Sequence, residues 1–227
     1  MSTTKRRRVP LVDEVCPQII RIVQKRLKDN DPWLMPERVL AERLHVSRTV
    51  IREAIQRLES EGMVEVVHGK GIKAVDKLQR PVNRSIALKI PDVEKRLQQL
   101  AEVRLILEPE VARGAALMRT TSDLQELKQI QSNLRESKLP EEAVQFDMDF
   151  HRVLARAAGN AVTELILGSL ADLGRESRAV TISRYGVEPA HSQHERVLQA
   201  VEAGEADRAA AAMRAHIQQA LKDLKSS

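Results

Sequence analysis

Aromatic side chains are almost missing from this sequence: one Trp, one Tyr and two Phe make up 2% of 227 residues. A chain so poor in rings must fill its cores with aliphatic side chains. Its 42% hydrophobic content is enough for that and excludes global disorder. Cysteine occurs once, as Cys16, so no internal disulfide can form and the thiol reads as a small core residue of the first helix. No run reaches the roughly 18 apolar residues that a membrane-spanning helix needs. The basic start, MSTTKRRRVP, is followed by no apolar signal core. Together these absences predict a soluble, cytoplasmic protein with no membrane partner. A nucleophile elbow, an HExxH pair and a phosphate-binding loop are missing too, so the chain carries none of those catalytic signatures and is not expected to be an enzyme.

What is present is unevenly spread. Residues 1–90 hold 19 Lys/Arg against 11 Asp/Glu, a net of +8, whereas residues 91–227 hold 18 against 21, a net of −3. A basic segment joined to a mildly acidic one predicts a polyanion partner for the first alone. The length suits two modest domains. Residues 1–10 form a basic arm in which Lys5 to Arg8 either lie over phosphates or make a solvated tail.

Apolar residues at Val12, Val15, Ile19, Ile22 and Val23 recur at helical spacing over Leu11 to Leu27, and the polar stretch Lys28 to Pro32 breaks the pattern. Pro36 opens a short helix that runs to Leu44. After the turn His45-Val46-Ser47, Ser47 can cap a third helix, Arg48 to Glu61, whose inward stripe is Ile51, Ala54, Ile55 and Leu58. Gly62 ends it. Met63 to Val67 and Ile72 to Val75 then switch to β-branched runs around His68-Gly69-Lys70-Gly71, which predicts a hairpin with a Gly-rich tip. The expected class is therefore mainly α. A winged helix-turn-helix of three helices and a two-stranded wing spans 11–75, a linker containing Pro81 and Pro91 spans 76–91, and an all-α antiparallel helical bundle spans 92–227. Its helices are expected at 92–118, 122–137, 140–158, 161–184, 188–203 and 205–225.

Arg48 and Arg52 lie four apart in the first turns of the third helix, off its apolar stripe, so both can point outward. That end of a recognition helix enters the major groove, where a bidentate Arg–guanine pair contributes roughly 1–3 kcal/mol of discrimination. Ser47 and Thr49 can donate to phosphates beside the helix N-terminus. His68, Gly69 and Lys70 at the hairpin tip suit a groove edge or backbone. The segments Glu37-Arg38-Val39-Leu40-Ala41, Val46 to Glu59, Glu61-Gly62-Met63-Val64 and His68 to Gly71 resemble, in order and spacing, the DNA-binding domain of the GntR family. The resemblance implies that Arg38 also contacts double-stranded operator DNA. One departure stands out. Met35-Pro36 directly precedes Glu37-Arg38, where the family usually places a small residue, so Arg38 would enter at a different angle.

In the second half, three helical stripes carry ionisable groups where apolar ones belong. Asp147 and His151 sit among Val144, Met148, Ala155 and Ala158; His194 among Val197, Leu198 and Val201; His216 among Met213, Ile217, Ala220 and Leu224. Arg104 interrupts a fourth stripe of Leu97, Leu100, Leu107 and Val111. Buried charge is costly unless paired or bound to metal. One carboxylate and three imidazoles facing a core therefore predict a divalent metal site, with zinc favoured and nickel or manganese as alternatives. Core histidines satisfied by hydrogen bonds are the competing reading. His191 and Asp149 are expected at the surface, and Ser177, Arg178 and Thr181 are candidates for a pocket lining.

The pieces Glu102 to Pro109, Asp147 to His151, Ala158-Gly159-Asn160, His194 to Leu198 and Met213 to Ile217 resemble the FCD ligand-binding domain of the FadR subfamily. That resemblance implies the same four metal positions and a homodimer. It predicts a small carboxylate effector, held at its far end by Arg104, that releases a repressor from a metabolic operon. The alternatives are an acyl-CoA-responsive regulator, a pure metal sensor, or a metal-dependent enzyme with a nucleic-acid-binding module.

Overall fold

The computed structural model describes residues 11–225, so the basic arm expected at 1–10 lies outside the described residues. The chain divides into two compact units, Met1–Pro81 and Val82–Ser227.

In the first unit, α1 (Leu11–Lys28), α2 (Glu37–Leu44) and α3 (Arg48–Ser60) precede an antiparallel hairpin of β1 (Val64–Val67) and β2 (Gly71–Ala74). The inward stripe of α3 behaves as its period requires: Ile51, Ala54, Ile55 and Leu58 are buried against Val15, Ile19 and Val23 of α1. Ser47 sits in extended backbone and its hydroxyl accepts from the Val50 amide at 3.3 Å, so the third helix starts where its cap lies. Gly62 ends the turn after α3 with φ +79, and a Cβ there would stand 2.0 Å from the Lys77 carbonyl oxygen, so no other residue fits. Trp33 bridges Lys73, which lays the loop before α2 against the free edge of β2. Cys16 is buried, and burial raises its thiol pKa.

The stretch 76–91, expected as a linker, carries a helix, α4 (Arg80–Lys89). Pro81 did not prevent it, because in the first turn a missing N–H costs nothing. Pro91 lies beyond its end.

The second unit contains α5 (Val93–Met118), α6 (Thr121–Glu136), α7 (Pro140–Ala157), α8 (Ala161–Leu173), α9 (Arg175–Tyr185), α10 (Glu188–Ala203) and α11 (Ala206–Lys225). Caps mark several of these starts: Asp92 accepts from Lys95, Thr120 and Asp123 form a reciprocal capping box, and Asn160 accepts from Val162 and Thr163. The core is aliphatic, with Val111, Leu127, Leu154, Val197 and Ile217 packed around the buried ring of Phe150. The helix expected over 161–184 is broken in two at Gly174. A Cβ at that glycine would meet Arg178 Nη1 at 2.6 Å, so the gap in side-chain volume is occupied by a guanidinium from the next helix.

Candidate nucleic-acid interface and metal centre

The first unit keeps its polar candidates in water. Arg38, Ser47, Arg48, Thr49, Arg52, His68, Gly69 and Lys70 are all exposed. Arg38 Nη1 pairs with Glu42 Oε1 at 2.6 Å, and Arg52 Nη2 with Glu37 Oε2 at 3.1 Å. Exposed pairs of this kind add little stability and exchange readily for phosphate. Arg48 has no ion-pair partner among the described residues. Thus α3 presents Arg48 and Arg52 beside its own capped N-terminus, where helix amides favour an anion. His45, in the turn, adopts left-handed backbone at φ +54 and closes α2, a structural role. At the wing tip, Gly69 and Gly71 take positive φ, and the Lys70 amide donates to the Val67 carbonyl at 3.0 Å. The hairpin thereby carries His68 and Lys70 into solvent.

The second unit does the opposite. Asp147, His151, His194 and His216 arrive from α7, α10 and α11, and all four are buried. One donor atom from each lies within 4.8 Å of the others. His216 Nε2 is 3.3 Å from both His194 Nε2 and His151 Nε2, and His194 Nε2 is 3.5 Å from Asp147 Oδ1. Ligands about 2.0–2.1 Å from one ion in tetrahedral array stand about 3.3 Å apart. Three of the donor contacts have that spacing and the others are wider, up to 4.8 Å, so the group could hold a divalent ion and its mixed N/O chemistry suits one.

The protonation states agree with that fit. Burial pushes the His194 pKa down to about 3 against the pull of Asp147. Burial also holds His216 well below its ordinary value, with the two neighbouring imidazoles acting the same way. Both rings are neutral near pH 7 and keep a lone pair. His216 Nδ1 lies 2.7 Å from Gln193 Oε1, which assigns the ring proton to Nδ1 and leaves Nε2 for the centre. His194 stacks on Phe150 with centroids 4.2 Å apart.

A second layer orients these groups. Glu108 Oε2 lies 2.8 Å from His151 Nδ1, and Arg104 Nε donates to Glu108 Oε1 at 2.5 Å. Burial opposes the Glu108 charge, but Arg104 and His151 outweigh it and hold the carboxyl well below its usual range. A carboxylate behind a ligand histidine fixes the ring's tautomer and orientation. Asp147 is ionised for the same reason: its desolvation is overcome first by the Arg178 charge, and Arg178 Nε donates to Asp147 Oδ2.

Arg104, Asp147 and His216 also line a cavity of about 60 Å³ with Ser177, Arg178 and Thr181. The four candidate ligands and Arg104 thus come together, and the suggested lining of Ser177, Arg178 and Thr181 borders the same space. His191 and Asp149 stand apart, half-buried rather than at the surface, with the Asp149 carboxylate accepting from Gln145 and Arg152. Sequence reasoning missed Glu108 and Gln193. The first had a signal, since Arg104 and Glu108 are spaced i, i+4 on one face. Gln193 had none, because its partner is a helix away.

Residues 19–73 match the family described as bacterial regulatory proteins, gntR family, and residues 99–219 match the FCD domain. The HTH-type transcriptional regulator LutR of Bacillus subtilis is 34% identical over 192 residues, covering 78% of this chain and 84% of the relative. The chain belongs to the GntR family. It is a DNA-binding transcription regulator of the GntR/FCD type, and its relatives are regulators rather than enzymes. The Glc operon transcriptional activator of Escherichia coli K12 is 31% identical over 211 residues, 87% of this chain and 82% of the relative. The solved structure of Streptococcus agalactiae GntR superposes with a TM-score of 0.70 at 23% identity, covering 93% of this chain and 99% of that one, which speaks to the fold alone. Among the described residues of this GntR-family regulator, no helix is long and apolar enough to cross a membrane.

Proposed function

We propose that this regulator is a cytoplasmic repressor of a metabolic operon, and that a small carboxylate effector bound at a metal-containing pocket releases it from DNA. The observation that carries this reading is the convergence of four buried donor atoms within 4.8 Å, beside a cavity that two of their residues, Asp147 and His216, line together with Arg104 and Arg178. Asp147, His151, His194 and His216 would hold the ion, zinc first and nickel or manganese as alternatives. When bound, the ion would supply positive charge and a Lewis-acid contact for an anionic oxygen. The positive charge of Arg104 and Arg178 on the cavity wall favours an anionic acid there. A cavity of about 60 Å³ has no space for a long acyl chain, which argues against the acyl-CoA reading.

On the DNA side, Arg38, Ser47, Arg48, Thr49, Arg52, His68, Gly69 and Lys70 form the operator-contacting set. Arg48 and Arg52 read bases, and the others hold backbone. A homodimer would set two recognition helices on a palindrome one helical turn apart. Helix α8 supports a second copy as partner, because Val162, Leu165 and Ile166 share one face and are exposed. The acid need only prefer one arrangement of the DNA-binding units to shift operator affinity. One relative, of Escherichia coli K12, is named as an L-lactate dehydrogenase operon regulatory protein, which makes short hydroxy acids the first effectors to try.

Elemental analysis of untagged protein, with thermal melts against short organic acids, tests this reading. Near one divalent ion per chain and a melting temperature raised by one acid are expected. Metal-free protein that responds to no acid even after reconstitution would leave the histidines as core residues and refute the sensor.

A further inference from the structure

The pocket contains two buried arginines, and their donors are not equally committed. Arg104 directs Nε and Nη2 at the Glu108 carboxylate, at 2.5 Å and 3.4 Å. Arg178 is 5% exposed. Its Nε donates to Asp147 Oδ2, and its Nη1 reaches the Ala171 carbonyl at 3.5 Å. Its Nη2 is buried with no hydrogen-bond partner among the described residues. A charged donor removed from water and left without an acceptor is among the costliest omissions in a protein interior. The guanidinium is nevertheless held in place, because Gly174 supplies the space that Nη1 occupies.

The charge count points the same way. Arg104 and Arg178 balance Glu108 and Asp147, and an imidazole that ligates a metal does so as the neutral ring. A divalent ion on the four ligands would leave a buried surplus of two positive charges, which an anion relieves. The cavity measures about 60 Å³. On that measure one water needs roughly 10–15 Å³, so the space admits about four to six non-hydrogen atoms.

We propose that Arg178 is the anion anchor of the pocket: its Nη2 takes the carboxylate of a two- or three-carbon acid, while Arg104 is a positioning residue that orients His151 through Glu108. This assignment rests on the sensor reading above. It gives Arg178 two tasks, since the same guanidinium holds a candidate metal ligand with Nε and the acid with Nη2. Occupancy of the pocket is thereby tied to the placement of α9, which lies between Gly174 and Gly186.

The test is calorimetric titration of full-length, metal-loaded protein with L-lactate, and with lactamide as an uncharged analogue of the same size. Wild type is expected to bind lactate and to ignore lactamide. Arg178→Lys preserves a cation beside Asp147; it is expected to retain its metal by elemental analysis and to bind lactate about ten- to a hundredfold more weakly. Gly174→Ala leaves every ligand and both arginines in place but crowds the guanidinium. It should also weaken lactate binding with metal content unchanged. Lactate affinity equal to wild type in both variants, or equal binding of lactamide by wild type, would overturn the role of Arg178. A metal-loaded wild type that binds no short acid at all would overturn the sensor reading itself, and this assignment with it.

Discussion

Every polar side chain at the candidate DNA interface stands in solvent, whereas every ionisable residue at the candidate metal centre is at most 7% exposed. Arg38 and Arg52 rest in surface ion pairs that exchange at little cost, as suits a surface that must engage a polyanion and let it go. Arg104 with Glu108 and Arg178 with Asp147 form buried ion pairs, where a missing partner leaves an unpaired charge. The first site tolerates loss and the second does not.

The sharpest break in that contrast is Asp147→Ala. It removes a ligand and strands the Arg178 charge, so unfolding free energy should fall by about 3–5 kcal/mol and bound metal should approach zero. Denaturant titration and elemental analysis check both. Arg48→Ala, which strands nothing, should stay within about 0.5 kcal/mol of wild type in the same titration.

Acid should separate the units as well. In metal-stripped protein His194 and His216 have folded-state pKa values below the ordinary 6.5, so the unfolded chain binds protons that the folded chain refuses. The stability held by His194 and His216 is therefore complete above about pH 6.5. It is lost as the pH falls toward the folded value for His194, about 3. Unfolding midpoints of the helical unit should drop across that window. A flat profile would place the histidines in water.

On DNA, Arg48→Ala and Arg52→Ala should each cost about 1–3 kcal/mol of operator affinity and relax specificity at one base, as read by anisotropy on matched and mismatched duplexes. The smallest effect expected is that of Lys70→Ala. It should weaken all sequences alike and lower the salt slope by about 1.

The two sites also differed in how far the sequence disclosed them. The helix-turn-helix is contiguous, so Ser47, the Ile51/Ile55/Leu58 stripe and the Gly-rich tip announce their roles locally. The four candidate ligands were legible because each breaks an apolar stripe at a fixed period. Their neighbours were not, since Gln193 reaching His216 and Phe150 stacking on His194 depend on how α7, α10 and α11 pack. The helix break at Gly174 was hidden for a related reason. An isolated glycine inside a helical pattern is ambiguous until the Arg178 guanidinium that fills its side-chain space is known. Helix α4 was obscured by Pro81, which reads as a breaker unless it falls in a first turn.

The most direct test is the affinity of metal-loaded protein for a duplex that the protein itself selects from random sequence, followed by anisotropy as L-lactate is added. The acid is expected to weaken binding, and the effect is expected to disappear when the metal is stripped. An affinity unchanged or raised by the acid would contradict that expectation.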